Sequence, residues 1–434
     1  MPLLSGGAAN IQRPVIAENT AACLTVIFPN AIFAVTCSPV FNNINDGQRT
    51  MTVMKFGGAV LRNAAGFGCM SSILRGHAAP AVVVVSAFGS STRMLEAAAE
   101  AARNGEQELA LAMGRSVVAE NKELARAILT DEATAEALTA LADSVEQRLL
   151  NYLRGVAITR QLTGRTLDLI RSFGEFLALH IAKHFLENSG ISAAAADSAS
   201  LIVTDDRHGA ATPLPEPTRR RLEEALPRLF ETHDTAVIQG YVARGAHGEI
   251  TTMGRESSNL TAALLGELLR ADEVTIWTDA EGIFSADPAV VTDAIPVISM
   301  NYDDAENAAH NGVKPLYPTM IEPLRRAQVR LTYRSAFNPS GRQTVIDGNA
   351  RRRPTIIAAQ PRPDAPEASD VALIHVPPAA ALEALRQFPA ELATGDFSVC
   401  IGGGEAQKIT LPTAKSAEAV KFFHRQIVSG AHIH

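Results

Sequence analysis

The sequence predicts an α/β protein: a three-layer α/β/α domain around a mostly parallel sheet, followed by a small α+β module. Three observations predict it. A strand that runs into a polar or glycine-rich turn and then a helix recurs with one polarity, from Met51, from Ala81 and from Val237. The run Ala81–Val85 is continuously apolar and β-branched, as in a strand buried on both faces of a parallel sheet. Composition then shifts at Asp347–Pro366, where Arg351–Arg353, Arg362, Pro354, Pro361, Pro363 and Pro366 mark a joint.

Composition sets the outer bounds. The 434 residues are enough for two or three domains, and 47% hydrophobic with 20% charged residues is ordinary for a globular protein. A net charge of −7 argues against nucleic acid as a partner. The four cysteines (Cys23, Cys37, Cys69, Cys400) have no metal spacing, so a reducing compartment and no metal site are expected. No apolar run approaches the roughly 18 residues of a membrane span, so a cytoplasmic location without membrane contact follows. Residues 1–50 hold short apolar pieces broken by Pro29 and Asn30, with no basic region ahead of a long apolar core. They read as a disordered extension, with Met51 the alternative natural start.

From Met51 the elements follow in order. The strand in 51–58 ends at Lys55 and Gly57-Gly58 before a helix over Ala59–Leu74, a backbone arrangement that admits a phosphate closely. After Ala81–Val85 the hydroxyl-rich turn Ser86–Thr92 leads into residues 94–160, read as a helical insertion able to serve as a lid or as scaffold. The helix Asp168–Leu186 carries Glu175 among Phe173, Phe176, Leu177 and Ile181, so this carboxylate needs a partner: a ligand ammonium or a neighbouring helix end. Leu201–Thr204 reads as a strand and Arg219–Leu229 as a helix.

The stretch 236–288 organises the rest. A strand ends at Gln239-Gly240, and a turn-rich loop holds Gly245 and Gly248. The polar loop Gly254–Asn259 then opens a helix that ends near Arg270, and the strand Glu273–Thr278 closes the unit. Polar residues at such strand ends face the ligand edge of an open sheet. A helix N-terminus there favours an anion, and Arg255 offers a forked donor to carboxylate or phosphate; Ser257, Ser258 and Asn259 can equally be helix caps. Beyond it come a helix over Ile298–His310, a lysine held between Gly312 and Pro315, a helix Glu322–Gln328 and a strand Arg330–Ser335. The tail from 367 offers a strand at Ala372–Val376, a helix at Ala379–Phe388, strands near Phe397–Ile401 and Lys408–Leu411, and a helix at Ser416–Ile427.

These motifs carry a resemblance. KFGG at 55–58, VVVVSAFGSSTRML at 82–95, SFGE at 172–175, QGY at 239–241, TTMGR at 251–255, SNLTAALL at 258–265, IWTDAEGIFSADP at 276–288, GVKPLYP at 312–318 and RSAFNP at 334–339 stand in the order found in aspartokinases, of the amino-acid kinase superfamily. The chain from Lys55 to Ile346 resembles that family. The resemblance implies an amino-acid kinase fold over 51–346, a linker at 347–366 and a reduced ACT-like module over 367–434. It implies transfer of phosphate from ATP, with Mg²⁺, to the side-chain carboxylate of L-aspartate, the first step toward lysine, threonine and methionine. Carried over by position, Lys55, Asn259 and Arg255 would be catalytic. Ser86, Thr92, Glu175, Tyr241, Arg255 and Ser258 would hold aspartate. Lys55, Gly57, Gly58, Thr278, Asp279, Phe284 and Lys314 would hold the nucleotide. A homodimer and a lysine or threonine effector at the tail are implied too.

The chain departs from the family pattern at three places. Ala59-Val60 stand where the family has Thr-Ser, Arg255–Asn259 reads RESSN where the family has RGGSD, and Ala289 follows Asp287-Pro288 where the family has arginine. Two other readings therefore stand beside the first: an impaired relative that binds nucleotide or amino acid as a regulatory partner, and a kinase of a different amino acid.

Overall fold

The structure, a computed structural model, describes residues 24–28, 31–35, 51–77, 80–351, 353–393, 397–400 and 406–429. The chain divides into two compact units, Met1–Arg49 and Thr50–His434. In the first, Leu24–Phe28 pairs antiparallel with Ala31–Val35. The rest of the expected extension lies outside the described residues.

The second unit begins with β1 (Thr52–Phe56), whose five residues are all buried. The helix that follows, α1, spans Ala64–Arg75 rather than starting at Ala59. The reason is local. Gly57 O accepts from Val60 N and Leu61 N at 3.0 and 3.1 Å, which closes a turn first. Asn63 then caps the helix by accepting from Gly66 N at 3.1 Å. Strand β2 (Ala81–Val85) is wholly buried, as its composition requires. The insertion is helical as expected and consists of three helices, α2 (Ser91–Arg103), α3 (Gln107–Ile128) and α4 (Glu132–Thr159). Gly105, at φ +87°, makes the first break, and Asp131 caps α4 by accepting from Thr134 N at 2.9 Å. Helix α5 (Gly164–Asn188) completes the bundle. Leu95, Leu149, Leu153, Ile170 and Phe173 share one apolar core with Phe56 and Val83 of the sheet, so the insertion packs as scaffold.

Strand β3 (Ala193–Ala195) was not anticipated. Leu201–Thr204, expected as a strand, divides into a one-turn helix, Ser198–Leu201, and the short strand Val203–Thr204. Asp197 starts that turn by accepting from Ala199 N at 3.0 Å. Helix α6 (Pro215–Phe230) precedes β4 (Thr235–Gln239). The turn-rich loop is a hairpin of β5 (Val242–Gly245) and β6 (Ile250–Thr252), with Gly248 at φ +93° between them. Helix α7 (Ser257–Leu269) and β7 (Glu273–Thr278) follow.

The next segment holds a two-residue pairing of Ile283–Phe284 with Pro296–Val297, then β8 (Ser299–Met300). The helix expected from Ile298 begins only at Tyr302: α8 spans Tyr302–His310, capped by Asn301 accepting from Asp304 N at 2.7 Å. Then come α9 (Pro318–Ala327), β9 (Arg330–Ser335) and β10 (Gln343–Ile346). Eight strands form one sheet in the order β8-β10-β9-β7-β1-β2-β4-β3. Every pairing is parallel except β9 with β10. The carboxyl ends of β1, β2, β4 and β7 therefore open on the same edge.

The stretch read as a linker carries a strand, β11 (Ile356–Pro361). It is the edge of a second, antiparallel sheet with β12 (Ala368–Ile374), β13 (Ser398–Cys400) and β14 (Ala406–Pro412), in the order β11-β12-β14-β13. Helices α10 (Pro378–Arg386) and α11 (Ser416–Phe423) complete this module. Among the described residues no helix is long and apolar enough to cross a membrane.

Candidate active site

Along that shared edge lies a cavity of about 620 Å³. Its floor is made by two turns locked together. Gly89 N donates to Gly58 O at 3.4 Å, and a Cβ on Gly58 would fall 2.4 Å from Ala87 O. Only glycine lets the turn after β1 lie so close to the turn after β2. A similar approach brings α7 in: a Cβ on Gly240, at the end of β4, would fall 2.5 Å from Ser258 Cβ. The N-terminus of α7 is thus pressed against the strand ends, and its first residues, Ser257, Ser258 and Asn259, line the cavity.

Lys55, next to last in β1, is buried, at 7% exposure. Burial holds its ammonium below the usual lysine range, opposed by the carboxylates of Glu256 and Glu175. Glu175, on α5, is 3% exposed and accepts a hydrogen bond from Ala87 N at 2.8 Å. Burial pushes its carboxyl up to about 8, against the pull of that N–H and of Lys55. A buried carboxyl held so high, with Ala87 N its one hydrogen-bond donor among the described residues, is poised to receive a cation.

On α7, Ser257 Oγ and Asn259 Oδ1 are buried without a hydrogen-bond partner among the described residues, and both residues line the cavity. Such atoms are rare and fit a ligand's donors. Glu256 precedes them in the left-handed conformation, at φ +59°, with Arg255 exposed beside it. Burial pushes the Tyr317 phenol up, helped by the charge of Glu256, to which it hydrogen-bonds. Tyr241, also left-handed at φ +69°, forms another wall; burial raises its phenol to about 12.

Behind Tyr241 sits a buried network. Asp168, fully buried, accepts from His208 Nδ1 at 2.8 Å, Gly209 N at 3.0 Å and Thr252 Oγ1. Thr252 also bonds the Tyr241 hydroxyl. Arg171 lies 3.7 Å from Asp168 and pairs with Glu96 at 2.9 Å.

The first cavity brings together Lys55, Gly57, Gly58, Ser86, Thr92 and Glu175, and with them Tyr241, Arg255, Ser258, Asn259 and Thr278. A second cavity, of about 380 Å³, holds Thr278 again with Asp279, Phe284 and Lys314. Thr278 and Pro315 line both, so the two spaces meet there. Every candidate site residue carried over by position lies on one of the two. Sequence reasoning missed Arg93, Glu96, Trp277 and Tyr317 in the first cavity. The turn Ser86–Thr92 pointed toward Arg93, and GVKPLYP contained Tyr317 without singling it out. It also missed Asp168 and His208, which no local pattern marks.

Residues 50–332 match the model of the amino acid kinase family. The chain belongs to the amino acid kinase family. Among relatives of this amino acid kinase, aspartokinase 1, chloroplastic, of Arabidopsis thaliana is 28% identical over 359 residues, 78% of this chain and 56% of that protein. An aspartokinase of Chlamydia pneumoniae is 29% identical over 310 residues, 70% of this chain and 66% of that one. A bifunctional aspartokinase/homoserine dehydrogenase 2, chloroplastic, of Zea mays is 28% identical, with 68% and 32% covered. The chain thus spans from about a third to two thirds of the length of these relatives. The fold is that of E. coli aspartokinase III: its complex with aspartate and ADP superposes with TM-score 0.65 at 24% identity, covering 85% of this chain and 80% of that one. The complex with lysine and aspartate gives 0.69 at 20%, covering 87% and 99%.

Proposed function

We propose that this amino acid kinase transfers the terminal phosphoryl group of ATP to the side-chain carboxylate of L-aspartate, giving 4-phospho-L-aspartate and ADP. One observation carries the reading. Two cavities of unlike character meet at Thr278 and Pro315: a polar one holding a buried carboxylate and lysine, and one walled largely by apolar residues. That is the shape of a two-ended encounter, with an amino acid at one end, a nucleoside at the other and phosphates between. The relatives named aspartokinase, and the neighbouring structure that holds aspartate and ADP, support this choice of substrates.

In this reading Glu175 takes the ammonium of aspartate, which supplies the charge its burial calls for. Arg255 takes a carboxylate by its fork. Ser86, Thr92, Tyr241 and Ser258 close around the rest. The nucleophile is a side-chain carboxylate oxygen, which needs no base. It forms a bond to the terminal phosphorus as the bond to the ADP oxygen breaks, and ADP leaves with that electron pair. The protein's part is placement and charge neutralisation. Lys55 and the N-terminal N–H groups of α7 face the charge on the moving group. Gly57 and Gly58 leave room for phosphate oxygens. Asn259 offers its amide there, and Thr278, Asp279, Phe284 and Lys314 hold the nucleoside side.

Magnesium fits as a companion of the nucleotide. Among the described residues no cluster of three or more His, Cys, Asp or Glu side chains could hold a metal alone. Mg²⁺ is commonly held by phosphates with one or two carboxylates, and it would neutralise phosphate charge there. The decisive assay couples ADP release to trapping of the acyl phosphate by hydroxylamine. Hydroxamate is expected from ATP and L-aspartate, and Lys55→Ala should reduce it by roughly 10²–10³-fold with ADP still bound. Bound ATP without hydroxamate from the wild type would overturn the reading.

A further inference from the structure

Helix α5 buries two carboxylates on one face, Asp168 and Glu175, seven residues apart. Their surroundings differ. Glu175 lines the first cavity with Ala87 N as its one donor among the described residues, which leaves room for a ligand. Asp168 is fully buried and does not line that cavity. Its oxygens are already taken: Oδ2 accepts from His208 Nδ1 at 2.8 Å and from Gly209 N at 3.0 Å, and Oδ1 accepts from Thr252 Oγ1. Arg171 approaches Oδ1 at 3.7 Å. A group so enclosed touches no substrate, so it acts on the cavity only through its neighbours.

One neighbour leads to the cavity. A threonine hydroxyl has a single proton, and Thr252, itself fully buried, gives it to Asp168. Toward Tyr241 the Thr252 oxygen can then only accept, so the bond between them is filled by the proton of the phenol. The phenol oxygen is left with lone pairs alone. The backbone of Tyr241, left-handed at φ +69°, is held on both sides: its N donates to Thr261 Oγ1 at 3.2 Å and its O accepts from Met253 N at 3.0 Å. Tyr241 lines the first cavity, and so does Glu96, whose charge the phenol feels. This side of the cavity therefore offers acceptors, which suit an N–H donor or a cation. We infer that Tyr241 receives the ammonium of the amino acid as a second acceptor beside Glu175, and that Thr252 and Asp168 are positioning residues that keep the phenol proton turned inward. This rests on the proposed function, which puts an amino acid in the first cavity. The fixed polarity bears on specificity. A freely turning hydroxyl serves a carboxylate or an ammonium equally, whereas this one can only accept.

The experiment is calorimetric titration of the full chain, with ADP present, by L-aspartate and by succinate, which has both carboxylates and no ammonium. Weak succinate binding is read by its displacement of aspartate. Tyr241→Phe removes the acceptor and keeps the ring. Thr252→Val removes the hydroxyl at nearly constant volume, and Thr252→Ser keeps it. Aspartate affinity should fall about tenfold in Tyr241→Phe and in Thr252→Val, while succinate binds within about twofold of the wild type or tighter. Thr252→Ser should keep the wild-type preference for aspartate. A purely structural role would move both ligands together. A wild type that does not bind aspartate defeats the proposed function itself. A wild type that binds it, with the preference over succinate unchanged in Tyr241→Phe, defeats only the inference. A preference lost in Tyr241→Phe but kept in Thr252→Val defeats the role given to Thr252 and Asp168. Should Thr252→Val fail to fold, magnetic resonance of the wild type decides: the Tyr241 hydroxyl proton must show a nuclear Overhauser contact with the Thr252 methyl group, and its absence refutes the inward turn.

Discussion

Glu175 gives the sharpest prediction. Its carboxyl is raised to about 8 by burial, so at pH 7 about a tenth of the unliganded chain carries the anion, and at pH 9 about nine-tenths does. An amino acid whose ammonium must meet that anion should bind roughly tenfold tighter at pH 9 than at pH 7. At pH 7 its binding should expel most of one proton. The assay is isothermal titration with L-aspartate in the presence of ADP, from pH 6 to 9, in buffers of different ionisation enthalpy to count protons. Glu175→Gln should remove both the pH rise and the proton release. It should also weaken binding by about 1.5–3 kcal/mol, the size of a charge-assisted hydrogen bond. The same shift has a stability consequence. The folded carboxyl binds protons more readily than the unfolded one, so the unliganded chain loses stability as pH rises from about 4.5 to about 8, by roughly 5 kcal/mol at most. Aspartate affinity that is flat over this range, with no proton released, would refute the assignment of Glu175 to the ammonium.

Two other substitutions probe the frame around the site. Gly58→Ala must push the two floor turns apart, since its Cβ would stand 2.4 Å from Ala87 O; ADP affinity should drop by about tenfold or more, read by the same titration. Asp168→Asn leaves His208 and Thr252 around a neutral side chain and should cost about 3 kcal/mol in a urea melt. Through Thr252 and Tyr241 it should also raise the KM for aspartate more than it lowers kcat.

What was legible in the sequence was what is local. A β-branched run such as Ala81–Val85 has one comfortable home, and the polar residues after β1, β2, β4 and β7 announced a common edge because parallel strands deliver their carboxyl ends together. What was illegible depends on distance along the chain. Asp168 and His208 are 40 residues apart and carry no spacing that marks them. Residues 59–63 have the composition of a helix, but the close approach of Gly57 to β7, whose Trp277 O accepts from Gly57 N at 3.4 Å, turns the chain before the helix can start. The arginines and prolines of 351–366 read as a joint, yet Ile356–Ala359 within them pair with β12 and close the module's sheet edge. In each case a tertiary neighbour overrode the local preference.

The burial of Ala286 and Val291 among Ile357, Val420 and Phe423 also orders events in time. Chains emerge from the ribosome amino end first, and domains commonly fold as they appear. Here the strands up to β10 can pair while the module is still being made, but the segment around Ser285 must wait for residues more than a hundred positions later. Until α11 has been synthesised, only the module's earlier elements, β11 and β12 among them, can cover that segment's apolar face. During synthesis, then, the edge that holds the first cavity can form before the wall that α11 gives to the second.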